Sequence, residues 1–131
     1  MATQSAHIFK ISLTAGSASL AAKQYYFVKL DTDGTAIVCS GATDIPVGVL
    51  QNNPVAGGVA EVLVIGLSKV NSDAALTIGN LIGTSADGQA DAKTSGTDTT
   101  EYVVGRMLTA TGAAGVIGTA LINCASPHRA A

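Results

Sequence analysis

Short runs in which apolar and polar residues alternate recur along the chain, and this period of two predicts β-strands. In residues 8–13, three large apolar side chains share one face, namely Phe9, Ile11 and Leu13. Residues 24–30 alternate in the same way, which is typical of a strand covered on one side and partly covered on the other. Between these runs, residues 14–23 are rich in Ala, Ser and Gly and fit either a loop or one weak helical turn.

The strongest apolar run of the chain covers residues 59–67 and continues outward through Val70. It is rich in β-branched residues, is interrupted once by Glu61, and follows the pair Gly57-Gly58. A helix of this length would need capping residues, and the sequence has none in the expected places. The run therefore predicts a central strand.

Two Asp-Gly pairs predict hairpins, because Gly adopts a positive φ at no steric cost. Asp33-Gly34 separates residues 24–30 from a returning strand at 35–39. Asp87-Gly88 separates residues 80–84 from 89–92.

A last strand pair is predicted at residues 102–110 and 116–124, joined by a loop of small residues. Residues 93–100 (KTSGTDTT) contain no large apolar side chain. We expect this stretch to be an exposed loop.

One internal similarity has a constant offset. Val47-Gly48 followed by Gly58-Val59 recurs as Val104-Gly105 followed by Gly115-Val116, 57 residues later in both cases. This predicts two similar hairpins, each with an early Gly that lets a neighbouring backbone or side chain approach. With 15 glycines in the chain, a chance match is the alternative.

These elements predict an all-β fold with one compact domain, either a small barrel or a sandwich of short strands. We expect a flexible N-terminal arm and linker at residues 1–23, a β-domain at 24–124 and a C-terminal tail at 125–131. The length of 131 residues fits one domain.

Charge is the most unusual property of the composition. Charged residues make up 12% of the chain, about half of the usual 25% or so, and mean hydropathy is +0.40. Such a surface suits a subunit packed against neighbours, although a secreted domain can have a similar composition. A net charge of −2 with seven scattered basic residues argues against nucleic-acid binding, and no run is long and apolar enough for a membrane span.

The chain offers little for catalysis, so we expect no enzyme activity, cofactor or metal site. The two histidines, His7 and His128, lie in the predicted arm and tail, where nothing would hold a catalytic base. Cys39 and Cys124 lack metal-site spacing and are expected to be buried, reduced thiols. The aspartates of residues 31–34 are interpreted as turn residues and not as calcium ligands.

The middle and end of the chain resemble a known family. The segments IPVGVLQNNPVAGGVAEVLVIGLSKV, TIGNLIGTSADGQA and VVGRMLTATGAAGVIGTALI follow the running order of the small capsid decoration (cement) proteins of tailed bacteriophages. The resemblance covers residues 45–122, and Asn80 stands where that family often has an acidic residue.

The resemblance implies a virion structural protein on the outside of an expanded phage capsid, where it would stabilise the shell by bridging neighbouring subunits. The implied partner is the major capsid protein, and a homotrimer is the implied assembly. Synthesis is expected in the cytoplasm of the bacterial host, because the N-terminal residues do not have the form of a secretory signal. As capsid contacts we expect Ile8, Phe9, Ile11 and Leu13, whose apolar face could add to a neighbour's sheet edge.

Two other functions fit the same composition. A tail or fibre module would share the small-residue turns. A carbohydrate-binding adhesin would need exposed aromatic rings, and only Tyr25, Tyr26 and Tyr102 are available.

Overall fold

The computed structural model describes residues 8–18 and 20–131, and within these ranges it is all-β, with no helix. The strands are β1 Phe9–Thr14, β2 Phe27–Leu30, β3 Ala36–Val38, β4 Gly48–Leu50, β5 Val59–Asn71, β6 Leu81–Thr84, β7 Ala90–Ala92, β8 Tyr102–Val103, β9 Gly105–Met107, β10 Ile117–Asn123 and β11 His128–Arg129. No helix in the described ranges is long and apolar enough to cross a membrane. The predicted fold class is confirmed, and the main sheet is curled into a half-barrel.

The main sheet has two halves with the same order of strands. Along the sheet the order is β3-β2-β4-β5-β10-β9-β6-β7, with β1 paired to β5. Read from the centre outward, each half is a long strand, a short strand and a two-stranded hairpin. The second sheet contains only β8 and β11.

Hydrogen bonds and register repeat between the halves. Val28 pairs with Val38 as Ile82 pairs with Ala92, 54 residues later. Val47 donates its backbone N–H to Val28 O at 2.8 Å, and Val104 donates to Ile82 O at 2.9 Å. The chain is therefore built as two related units.

The predicted repeat lies at the matching hairpins β4–β5 and β9–β10, both of them antiparallel. A Cβ on Gly48 would lie 2.5 Å from Leu63 O, and one on Gly105 would lie 2.6 Å from Leu121 O. Glycine at these two positions allows the neighbouring strand to approach, which is the role the sequence predicted.

Strand β5 serves both halves and changes its buried face at Leu63 and Val64. Ala60 and Val62 belong to a small core cluster, whereas Leu63, Val64 and Val70 belong to a larger one. The register with β1 shifts at the same point, since Phe9 pairs with Ile65 and Lys10 pairs with Leu63. A β-bulge of this kind bends a strand and increases its twist, and it lets β5 line two cores.

The curl closes where the β6–β7 hairpin meets β2. Phe27 donates its backbone N–H to Gly88 O at 2.7 Å. The Gln89 amide donates to Asn71 Oδ1 at 2.7 Å. These bonds fasten the tip of the second hairpin to the first half of the sheet.

The sheet extends beyond residues 24–124 at both ends. Strand β1 pairs with β5 along its length, and Ala15 and Leu20 are buried in the small core. At the other end, β11 pairs with β8, and Ala130 is buried. The predicted flexible arm, residues 1–7, lies outside the described ranges.

Several predicted strands are shorter than the apolar pattern suggested. Strand β2 starts at Phe27 because Tyr25 has a φ of 69°, a left-handed conformation that ends a ladder. The predicted strand at 102–110 divides into β8 and β9, because the N–H of Val104 between them bonds to Ile82.

The predicted loop at 93–100 is exposed except at Lys93 and at the half-buried Asp98. Lys93 is buried, and its ammonium group donates to Thr84 O at 2.9 Å and contacts the carboxylates of Asp91 and Glu101. The prediction for Lys93 was wrong, because a lysine stem can be buried when its charge is paired.

We predict that Gly105→Ala destabilises the protein by about 1–3 kcal/mol, because the added methyl group would clash with Leu121 O in a packed sheet. Chemical denaturation would measure the change. Gly112→Ala is the matched control, since a Cβ there has no neighbour within 4 Å, and it should change the free energy of unfolding by less than about 0.5 kcal/mol. Equal effects of the two substitutions would contradict the close-approach role.

Candidate docking face

The four residues predicted to contact the capsid separate into two pairs. Ile11 pairs with Val62 and Leu13 with Ala60, and both half-buried side chains pack on the small core. Ile8 and Phe9 are 45% and 56% exposed. The register between β1 and β5 shifts between Phe9 and Lys10, and this shift separates Phe9 from the inward-facing Ile11 and Leu13. Of the four, Ile8 and Phe9 are therefore the residues most exposed at the surface.

A comparison of the two halves identifies a larger surface. In the first half, Phe27 pairs with Val49, which pairs with Leu63. We call these three residues the first row; each is at most 2% exposed. They contribute to the large core, which also contains Ile82 and Met107 of the second half.

The equivalent row of the second half is Leu81, Arg106 and Leu121, joined by the same cross-strand pairs. We call it the second row. Leu81 is half-buried, Arg106 is exposed and Leu121 is 51% exposed. A position that is core in one half is thus surface in the other.

The second row continues across β5. Leu121 pairs with Leu67, and Ile65 lies two residues before Leu67 on the same face of the strand. Ile65 and Leu67 are exposed, and Ile65 also pairs with the exposed Phe9 of β1. We call the second row together with Ile65 and Leu67 the open face.

A groove runs along the second row of the open face. It has a volume of about 290 Å³ and is lined by the second row, and by Ser126 and His128 of the C-terminal segment, among others. Its lining contains no carboxylate. Arg106 lies between two leucines here and forms no ion pair with any described residue. The groove therefore combines aliphatic side chains with the polar Asn123, Ser126 and His128 and one cation, Arg106.

The other chemistry-bearing side chains have structural roles. Burial raises the pKa of the Cys39 and Cys124 thiols to about 12, so both are poor nucleophiles at neutral pH. In the described ranges, no three His, Cys, Asp or Glu side chains are grouped so that they could hold a metal ion. His128 is exposed on β11, and His7 lies outside the described residues.

The aspartates of the first Asp-Gly turn bond to their own loop. Asp31 accepts from Thr32 N at 2.8 Å, and Asp33 accepts from the N–H and hydroxyl of Thr35 at 3.0 and 2.6 Å. The Thr35 hydrogen bonds lower the pKa of the fully exposed Asp33. These contacts give both residues the turn role that the sequence predicted.

The comparisons with known proteins identify a fold. No protein-family model matches the chain, and no curated protein matches its sequence. Among solved structures, the N base of the head fiber gp8.5 of bacteriophage phi29 matches with a TM-score of 0.63 and 19% sequence identity. The match covers 88% of this chain and 96% of that one. The chain therefore has the fold of a phage head-fibre base.

Each tyrosine that could have formed a sugar-binding platform lies under a cation. Lys69 lies 5.9 Å from the Tyr25 ring centre, Lys23 lies 4.8 Å from that of Tyr26, and Arg129 lies 5.7 Å from that of Tyr102. All three rings are half-buried. A stacked sugar would compete with these cation–π contacts.

Sequence reasoning did not identify the open face. Leu67 lies in the run predicted as the central strand, and Leu121 lies in the predicted last pair. The repeat contained the necessary signal, because aligning the halves places Arg106 at the position of Val49. A charged residue at a position that is core in the other half indicates a different environment.

We predict opposite outcomes for two equivalent leucines. Leu63→Ala should cost about 2–5 kcal/mol of stability, because it leaves a cavity in the large core. Leu121→Ala should cost less than about 0.5 kcal/mol, since its side chain is half-exposed. Urea denaturation of both variants checks this, and a large loss with Leu121→Ala would show that the open face is part of the core.

Proposed function

We propose that this chain is a structural, non-enzymatic protein of a phage virion that binds the outside of the capsid as a decoration protein. The observation that carries the proposal is the fold shared with a phage head-fibre base over nearly the whole length of that base. The running order of the sequence motifs resembles capsid decoration proteins and supports the same assignment.

The surface of the protein supports a role in an assembly. Thirteen large apolar side chains are exposed in the described residues, and charged residues are scarce. The open face brings several of them together on one side of the sheet. Contiguous apolar surface of this kind is typical of protein–protein contacts.

In this proposal the partner is the major capsid protein, and the protein acts as a homotrimer that bridges neighbouring subunits on the virion surface. Ile8 and Phe9 are suitable capsid contacts, because they are exposed at the start of β1. Among the described strands, β1 pairs only with β5. Its other edge is available to pair with an extended segment of a neighbour.

A second candidate function is the capsid-anchoring base of a head fibre. The match to the phi29 head-fibre base favours it directly. The two functions differ in their effect on the shell, because a decoration protein must stabilise it, whereas a fibre base need only bind.

We predict that saturating protein raises the temperature at which expanded shells release packaged DNA. A ligand that binds only the intact state stabilises it by about 2.7 kcal/mol per site at a hundredfold excess over its dissociation constant. The effect should survive raised salt, because wide apolar contacts are screened less than exposed ion pairs. The release temperature of packaged DNA should be measured for decorated and bare shells, each at low and at high salt. Binding with an unchanged release temperature would favour the fibre base, and no binding would refute both functions.

Phe9→Ser should weaken co-sedimentation with shells by about tenfold or more, since it removes a large apolar contact at the β1 edge. Val55→Ser is the matched control, because Val55 is 66% exposed but lies in the loop between β4 and β5. Both variants should keep the wild-type unfolding temperature. Equal shell binding by Phe9→Ser and wild type would remove the β1 edge from the contact.

A further inference from the structure

The hairpin tips of the two halves have different surroundings. The β6–β7 tip is docked, since Gly88 O accepts a hydrogen bond from Phe27 of the first row, and a Cβ on Gly88 would lie 2.6 Å from Val38. The equivalent β2–β3 tip is open, because a Cβ on Gly34 would have no neighbour within 4 Å. One tip therefore has a docking site within the chain, and the other does not.

The two rows, which are the sites where a hairpin tip can dock, also differ between the halves: the first row holds a tip, and the second row does not. The β6–β7 tip bonds to Phe27, the first member of the first row. The equivalent position in the second row is Leu81, which lines the groove of the open face. The protein thus has one unoccupied tip and one unoccupied site, at equivalent positions of its two halves.

Charge matches the tip to the groove. The tip carries Asp31 and Asp33, both exposed, beside Leu30, which is 52% exposed. Nearby Lys29 does not neutralise them, because it is paired with Asp44 at 2.8 Å. The tip is therefore acidic beside an apolar residue, whereas the groove contains aliphatic side chains and the unpaired Arg106, with no carboxylate. A cation covered by a partner needs an opposite charge there to offset its desolvation.

We propose that the β2–β3 tip of one copy occupies the groove of the next copy, with Asp31 facing Arg106. This contact joins two different surfaces, so it is heterologous and can close into a ring. The inference rests on the homotrimer in the proposed function, and it identifies the surfaces through which the copies meet.

Charge reversal tests the contact in solution, without shells. Sedimentation equilibrium should show self-association of the wild type at high protein concentration. Arg106→Glu and Asp31→Lys should each weaken it about tenfold or more, and the double reversal should restore it to within about threefold, because the pair is re-formed with opposite signs. Lys10→Glu is the control and should have no effect, since Lys10 is an exposed cation on β1. A double variant as weak as the single variants would overturn the pairing.

Cysteine cross-linking tests the geometry. The native thiols are buried with raised pKa values, so oxidation should report introduced cysteines alone. Asp31→Cys mixed with Arg106→Cys should give a disulfide-linked dimer, and a chain carrying both changes should give closed oligomers. A dimer formed by either variant alone, or no cross-link in the mixture, would overturn the proposal.

These outcomes are separable from the function on the shell. If Arg106→Glu loses shell binding while no cross-link forms between copies, the groove binds a carboxylate of the capsid protein and not a second copy. If the cross-link forms but the wild type does not bind shells, the contact between copies stands and the decoration role fails.

Discussion

A β-strand has two faces, and an ordinary strand in a one-layer sheet can bury only one of them. Strand β5 has thirteen residues and contributes to both core clusters, which is possible only because its buried face changes at Leu63 and Val64. Adjacent residues normally point to opposite faces, yet these two contribute to the same core. The bulge opposite Phe9 provides the bend. If β5 ran straight, the first row would face solvent and the two halves would not enclose a core.

The same bend explains why a duplicated sheet has an unequal surface. The first half is covered on one face by the second half and on the other by Ile11, Leu13, Ala15 and Leu20. The second half buries the face that carries Ile82 and Met107, and its other face is the open face. An end layer remains uncovered whenever similar layers are stacked, as in repeat proteins. Arg106 stands at the position equivalent to Val49, so this uncovered layer carries a charge with a leucine on each side.

Much of the fold could be predicted from local pattern. Both Asp-Gly hairpins and the central strand are present, because turn chemistry and alternation are properties of a few consecutive residues. The boundary at Phe27 could not be predicted, since the positive φ of Tyr25 is stabilised by distant partners: its N–H bonds to Leu50, and its carbonyl accepts from Asn71. The burial of Lys93 depends in the same way on Glu101, which follows it only after a turn.

The candidate site shows the same division between local and distant information. Alternation correctly placed Ile11 and Leu13 on one face of β1, but it could not tell whether that face looks toward the core or toward a neighbour. The answer depends on β5, some fifty residues away, whose Val62 and Ala60 lie opposite them. The internal repeat is the one sequence feature that carries such distant information, because it aligns positions with known neighbours in one half to positions with none in the other. In a duplicated chain, the residues that differ between equivalent core positions are therefore the first place to look for a binding surface.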